Sequence, residues 1–229
     1  MMAFPQHGFV LLAMPKCAST SIESALAPYA SLVIDRPPSR KHLGCAGFTK
    51  RVAPDLAAQG HPRESYELVT MFRDPVRWLE SWWRYRARLD DGSDNSTQEL
   101  TFEDFARAYV DADPSAPTPR GRPGAFITLD GVVEVDRVLS VERPDVWQAW
   151  FGDRVGADVS VERRNVSTER IAPELSAQTR AELVDYFAPE YAVQSRLAET
   201  GEWSGARGTP LAVPPRPTKT KHLKGAQKS

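Results

Sequence analysis

Two short segments hold the residue types that could bind and activate an oxyanion: Phe9-Val-Leu-Leu-Ala-Met-Pro-Lys16-Cys-Ala-Ser19-Thr20-Ser-Ile22 and Leu68-Val-Thr-Met-Phe-Arg73-Asp-Pro-Val-Arg-Trp-Leu-Glu-Ser81. The first reads as a buried strand, a tight loop and a helix. Lys16 falls between strand and helix, where its ammonium can reach an anion seated on the free amides of the first helical turn. Ser19, Thr20 and Ser21 add hydroxyl donors, with Cys17 and Ala18 completing the loop. The second segment again reads strand, turn, helix. Arg73 ends the strand, its planar fork suited to phosphate oxygens, and Ser81 follows eight residues on. A ligand with two separated phosphates would need both segments.

Each feature also has a plainer reading. Thr20-Ser-Ile-Glu23 has the form of a capping box, in which threonine caps the helix and glutamate reaches back. Arg73 and Asp74 could make a surface ion pair, Ser81 could be an ordinary helix serine, and Arg77 and Arg84 read as solvated helix charges. Cys17 sits beside a lysine at a helix start, the setting of an activated thiol. A phosphatase signature loop would carry an arginine where Glu23 stands, so Cys17 reads as loop filler. The Gly-x-x-x-x-Gly-Lys-Ser/Thr pattern of a Walker A loop is absent.

Around these segments, strand and helix patterns alternate along the chain. Residues 8–14 form a continuous apolar strand of the kind found inside a parallel sheet. The helix after it aligns Ile22, Ala25, Leu26 and Tyr29 and ends near Pro28. A short strand is predicted at 31–34, a loop holding His42 at 35–47, and a weak helix at 48–58. Residues 66–72 are the clearest strand, and Asp74-Pro75 starts a helix over 75–89 with an N-cap and a proline at the first helical position. That helix spaces Trp78, Trp82, Tyr85 and Leu89 along one stripe. Polar loops at 90–99 and 112–124 flank a helix at 102–111. A hairpin turns at Asp130-Gly131, a strand covers 137–141, and helices follow at 144–152, 176–187 and 189–199. The pattern predicts an α/β fold with a mainly parallel sheet and ligand sites at the strand C-termini.

The chain has 229 residues with 29 basic and 30 acidic side chains, enough for one domain with a sizeable core. A formal charge of −1 provides no general attraction to nucleic acid or anionic membranes, so any anion site is local. The longest apolar run, Phe9 to Met14, falls far short of the ~20 residues that span a bilayer. No signal peptide is visible, and two cysteines form neither a disulfide framework nor a zinc motif, which predicts a cytoplasmic protein without a metal. The domain is expected to cover 1–204. The tail, 205–229, is Pro-rich and basic and is expected to be disordered.

The order Pro-Lys-x-Ala-Ser-Thr resembles the five-prime-phosphosulfate loop of sulfotransferases that use 3'-phosphoadenosine 5'-phosphosulfate (PAPS), whose pattern is Pro-Lys-x-Gly/Ala-Ser/Thr-Thr/Ser. Alanine at 18, in place of glycine, is closer to the carbohydrate 2-O-sulfotransferase branch and its bacterial relatives. Phe72-Arg73-Asp74-Pro75 through Ser81 matches the family's three-prime-phosphate motif in spacing and context. Arg40-Lys41-His42-Leu43 lies where many such enzymes carry a Lys-His dipeptide. Arg163-Arg164-Asn165-Val166-Ser167, a helix ending at Tyr186-Phe187, and Glu190-Tyr191 are similar to their C-terminal pattern. The resemblance spans about residues 8–200.

It implies a P-loop-NTPase-like sulfotransferase fold and sulfuryl transfer from PAPS to a hydroxyl or amine, with carbohydrate the favoured acceptor and 3'-phosphoadenosine 5'-phosphate (PAP) released. By this resemblance Lys16, Cys17, Ala18, Ser19, Thr20 and Ser21 hold the 5' side, Arg73 and Ser81 hold the 3'-phosphate, and Lys16 also acts in catalysis. Of the histidines at 7, 42, 61 and 222, only His42 stands where the family places a catalytic base, and histidine suits that role near neutrality. Some members use glutamate, which keeps Glu23 and Glu142 open. Two other function classes stand beside this one: a P-loop-type small-molecule kinase needing magnesium, and a catalytically silent nucleotide-binding protein of the same fold.

Overall fold

The structure is a computed structural model and describes residues 1–90, 93–161 and 173–215. Its first strand, β1 (Met2–Phe4), is fully buried and is followed by β2 (Phe9–Leu12) and α1 (Ser19–Leu26). Then come β3 (Leu32–Val33), α2 (Pro38–Lys41), α3 (Cys45–Arg51), α4 (Ala53–Ala58), β4 (Glu67–Phe72) and α5 (Pro75–Arg86). The second half holds α6 (Phe102–Val110), α7 (Pro123–Ile127), the hairpin β5 (Thr128–Leu129) and β6 (Val132–Val133), β7 (Arg137–Ser140), α8 (Pro144–Val155), α9 (Ala177–Tyr186), α10 (Ala188–Leu197) and β8 (Glu202–Ser204).

The main sheet has the order β3-β1-β2-β4-β7-β8. Its centre is parallel: β2 pairs with β4 (Leu12 opposite Thr70) and β4 with β7 (Phe72 opposite Ser140). The central runs Phe9–Leu12 and Leu68–Phe72 are buried throughout, as expected for strands covered on both faces. β1 and β8 join antiparallel to their neighbours, and β3, antiparallel to β1, again runs in the direction of β2. The fold is thus α/β, with a mostly parallel central sheet flanked by helices. Among the described residues no helix is long and apolar enough to cross a membrane.

Several boundaries differ from those predicted. β1 and β8 are too short to show a period in the sequence, and they form because adjoining strands offer them partners. Pro37-Pro38 starts the short α2 where a loop was expected, with Pro38 at its first position. Just past Gly205, in the segment expected to be a tail, the chain keeps contact with the domain. Ala206 is buried, and Gly208 and Leu211 donate to the carbonyls of Val133 and Gly131 at 2.8 and 2.9 Å, while Val133 donates to Thr209 at 2.9 Å. Residues 206–211 therefore extend the β5–β6 hairpin. The basic stretch from 216 onward lies outside the described residues, as does the 163–167 motif.

Candidate active site

Because β2, β4 and β7 are parallel and in register, their C-terminal ends bring the Lys16 loop, Arg73 and Glu142 to one edge of the sheet. Three side chains fasten the loop after β2. The Thr70 hydroxyl donates to the Leu12 carbonyl at 3.0 Å, the Trp78 indole N–H donates to Pro15 at 3.0 Å, and His42 Nδ1 meets the Ala13 carbonyl at 2.7 Å. Between these anchors the backbone turns left-handed twice, at Lys16 (φ 64°) and Ala18 (φ 58°). Each such turn costs an L-residue roughly 1–2 kcal/mol, and strain of this kind persists where the surroundings hold it in place, often at functional loops.

Ala18, rather than Thr20, occupies the N-cap of α1, and no side chain caps the helix. The first helical bonds run from Ser21 and Ile22 to the Ala18 carbonyl, at 3.1 and 3.2 Å, so the amides of Ser19 and Thr20 precede the hydrogen-bonded turns. The capping-box alternative does not form. Glu23 turns instead to Lys41 Nζ at 2.7 Å and to the Met1 nitrogen at 3.4 Å. Cys17 is the loop residue that faces inward. Its amide is directed to the Met14 carbonyl at 3.4 Å, and burial pushes its fully enclosed thiol up to about 12, which leaves no thiolate near neutrality.

Lys16 is half-buried, and burial, then the like charges of Arg73 and Arg88, lower its pKa to about 8. Its ammonium rests 4.0 Å from the centroid of the Tyr85 ring. Among the described residues no carboxylate pairs with Lys16 or Arg73. Asp74, the proposed partner of Arg73 in a surface pair, instead caps α5 by accepting from the Arg77 amide at 2.9 Å. Ser81 stands half-buried on the second turn of that helix, Arg77 is exposed, and Arg84 pairs with Glu80 one turn away at 2.7 Å. Cations without a counter-charge among the described residues, next to helix-start amides, make the local potential here favourable to an anion.

His42 caps the end of α2. Since a carbonyl can only accept, Nδ1 carries the proton toward Ala13, and Nε2 keeps a free lone pair. Burial lowers the His42 pKa from 6.5, against the opposing effect of the Ala13 contact. Glu142 accepts from the Ser140 hydroxyl at 3.1 Å and is approached by the Asp74 amide at 3.4 Å, while Glu23 is held by Lys41. Among the described residues, no three or more His, Cys, Asp or Glu side chains are gathered as a metal site. Arg88 and Tyr85 were not singled out for the site from sequence, although Ser81, Tyr85 and Arg88 repeat at the i, i+4, i+7 spacing of one helix face. No protein-family model, curated protein or solved structure matches this chain.

Proposed function

We infer that the protein is a PAPS-dependent sulfotransferase acting on a hydroxyl or amine acceptor, with carbohydrate the favoured class, and that its sheet and loops are the P-loop-NTPase-like arrangement of that family. The observation that carries the reading is the convergence of Lys16 and Arg73, both without a carboxylate partner among the described residues, at the end of parallel strands β2 and β4. The unpaired cations and the amides of Ser19 and Thr20 suit a doubly phosphorylated nucleotide. When bound, PAPS supplies the sulfuryl group.

In this mechanism Ser19, Thr20 and Ser21 hold the 5'-phosphate from the start of α1, and Arg73 with Ser81 holds the 3'-phosphate. His42 takes the acceptor's proton on Nε2, the nitrogen that the Ala13 contact leaves unprotonated. The Lys16 ammonium offsets negative charge as it grows on the leaving oxygen, a contribution that is large where water is scarce. The buried Cys17 thiol shapes the loop and takes no chemical part.

The test is turnover of PAPS against a panel of sugars, phenols and amines, beside thermal unfolding with PAP, AMP and ATP plus magnesium. PAP should stabilise the fold by about 2.7 kcal/mol at a hundredfold excess over its dissociation constant. AMP, which lacks the 3'-phosphate, should stabilise it far less. Equal shifts with PAP and with ATP plus magnesium would favour the kinase reading. PAP binding without turnover of any acceptor would favour the silent one.

A further inference from the structure

The side chain of Lys16 extends along α5 as far as its third turn. Its ammonium is 4.0 Å from the ring centroid of Tyr85 and 5.7 Å from that of Trp82. These rings belong to a continuous row. Tyr85 stands edge-on to Trp82 at 6.0 Å, and Trp82 stands edge-on to buried Trp78 at 6.2 Å. Trp78 in turn holds the Pro15 carbonyl through its indole N–H. The row therefore runs from the base of the Lys16 loop to the tip of the Lys16 side chain. Arg86 also lies over the Trp82 ring, at 5.3 Å, which leaves Tyr85 as the ring most closely given to Lys16.

Among the described residues, little else holds a cation in this place. The charged side chains acting most strongly on Lys16 are Arg73 and Arg88, both of its own sign. The negative face of an aromatic ring is a weak substitute for a carboxylate, and an anion displaces it readily. Tyr85 is 47% exposed, so the seat opens to solvent.

We propose that Tyr85, with Trp82 behind it, holds Lys16 in a waiting position, and that a phosphate arriving at the loop draws the ammonium off the ring face. The handover rests on the reading that this loop binds a nucleotide phosphate. Tyr85 is then a positioning residue acting through Lys16. Its contact belongs to the free protein and is given up on binding, so it opposes binding by the strength of that contact. A ring with only a supporting role would have no such effect. Truncating it would leave nucleotide affinity unchanged or weaken it.

The full chain, labelled with 13C at the lysine ε-carbons, and PAP as the probe test this. In the free protein the Lys16 ε-proton signal, assigned with Lys16→Arg, is expected upfield through the ring current of Tyr85, and saturation with PAP is expected to return it toward the ordinary lysine position. Tyr85→Leu should reduce the upfield shift in the free protein and tighten PAP binding by about two- to fivefold, the range for an exposed cation–π contact. Tyr85→Phe keeps the ring face and should restore both the wild-type signal and the wild-type affinity. If PAP binds while the Lys16 signal stays in place, or if Tyr85→Leu binds PAP no more tightly than wild type, the handover is overturned and the nucleotide reading stands. If the wild-type protein does not bind PAP, both fall together.

Discussion

Replacing Arg73 with alanine separates a binding arginine from a structural one. Arg73 is half-buried, makes no ion pair among the described residues, and its charge helps depress the Lys16 pKa. Arg73→Ala removes a like charge beside Lys16 and leaves no carboxylate stranded, so the stability of the free protein should stay within about 0.5 kcal/mol of wild type. PAP affinity should fall by about 1.5–3 kcal/mol, the scale of a hydrogen bond to a charged group, or roughly 13- to 160-fold. AMP affinity should barely change, so the preference for PAP over AMP should collapse. Arg122→Ala is the contrasting control. Arg122 and Glu190 are almost wholly enclosed and joined by two bonds of 2.8 and 2.6 Å, and Arg122 also donates to the Tyr186 carbonyl at 2.6 Å. Breaking that pair leaves a buried carboxylate uncompensated and should cost about 3–5 kcal/mol of stability. Calorimetric titration with PAP and AMP, with urea unfolding of the free proteins, measures both quantities. A wild-type preference for PAP in Arg73→Ala, or a loss of stability on the scale of Arg122→Ala, would show that Arg73 does not bind the 3'-phosphate.

His42→Ala should lower turnover by roughly a hundredfold or more in single-turnover assays while leaving PAP affinity nearly unchanged. Burial favours the neutral imidazole, so in wild type the base survives as pH falls to 6.5, and the acid limb of kcat/KM should lie below that value. The Lys16 ammonium is lost as pH rises through about 8, so PAP affinity titrated against pH should decline above that point in the free enzyme. Deleting residues 208–229 should cost about 1.5–3 kcal/mol in urea unfolding relative to deleting 216–229, because Leu211 is buried and bonded to Gly131. Gly44→Ala would bring a Cβ to 2.8 Å from the Phe126 carbonyl oxygen, which must shift, and should destabilise the fold by about 1–3 kcal/mol, seen as a lowered Tm.

The parts of this protein that local physics controls are legible along the chain. The apolar runs at Phe9–Leu12 and Leu68–Phe72 became central strands, and Asp74-Pro75 opened α5 through a side-chain cap and a proline already suited to the helix. Lys16 and Arg73 were legible as neighbours because each follows such a strand, and parallel strands carry their C-terminal ends to one edge. What depends on partners distant in the chain was decided by the tertiary structure alone. Glu23 had the spacing to cap its own helix, yet Lys41 and the Met1 nitrogen offer it charge, which a helix-start amide cannot match. Tyr85, one of an apolar stripe in the sequence, lies instead under the Lys16 ammonium, since α5 passes beside the loop that Trp78 fastens. β1, β8 and the segment at 206–211 have too few residues to hold an extended form alone. They are ordered because neighbouring strand edges satisfy their backbone groups, and those edges exist only once the sheet has assembled.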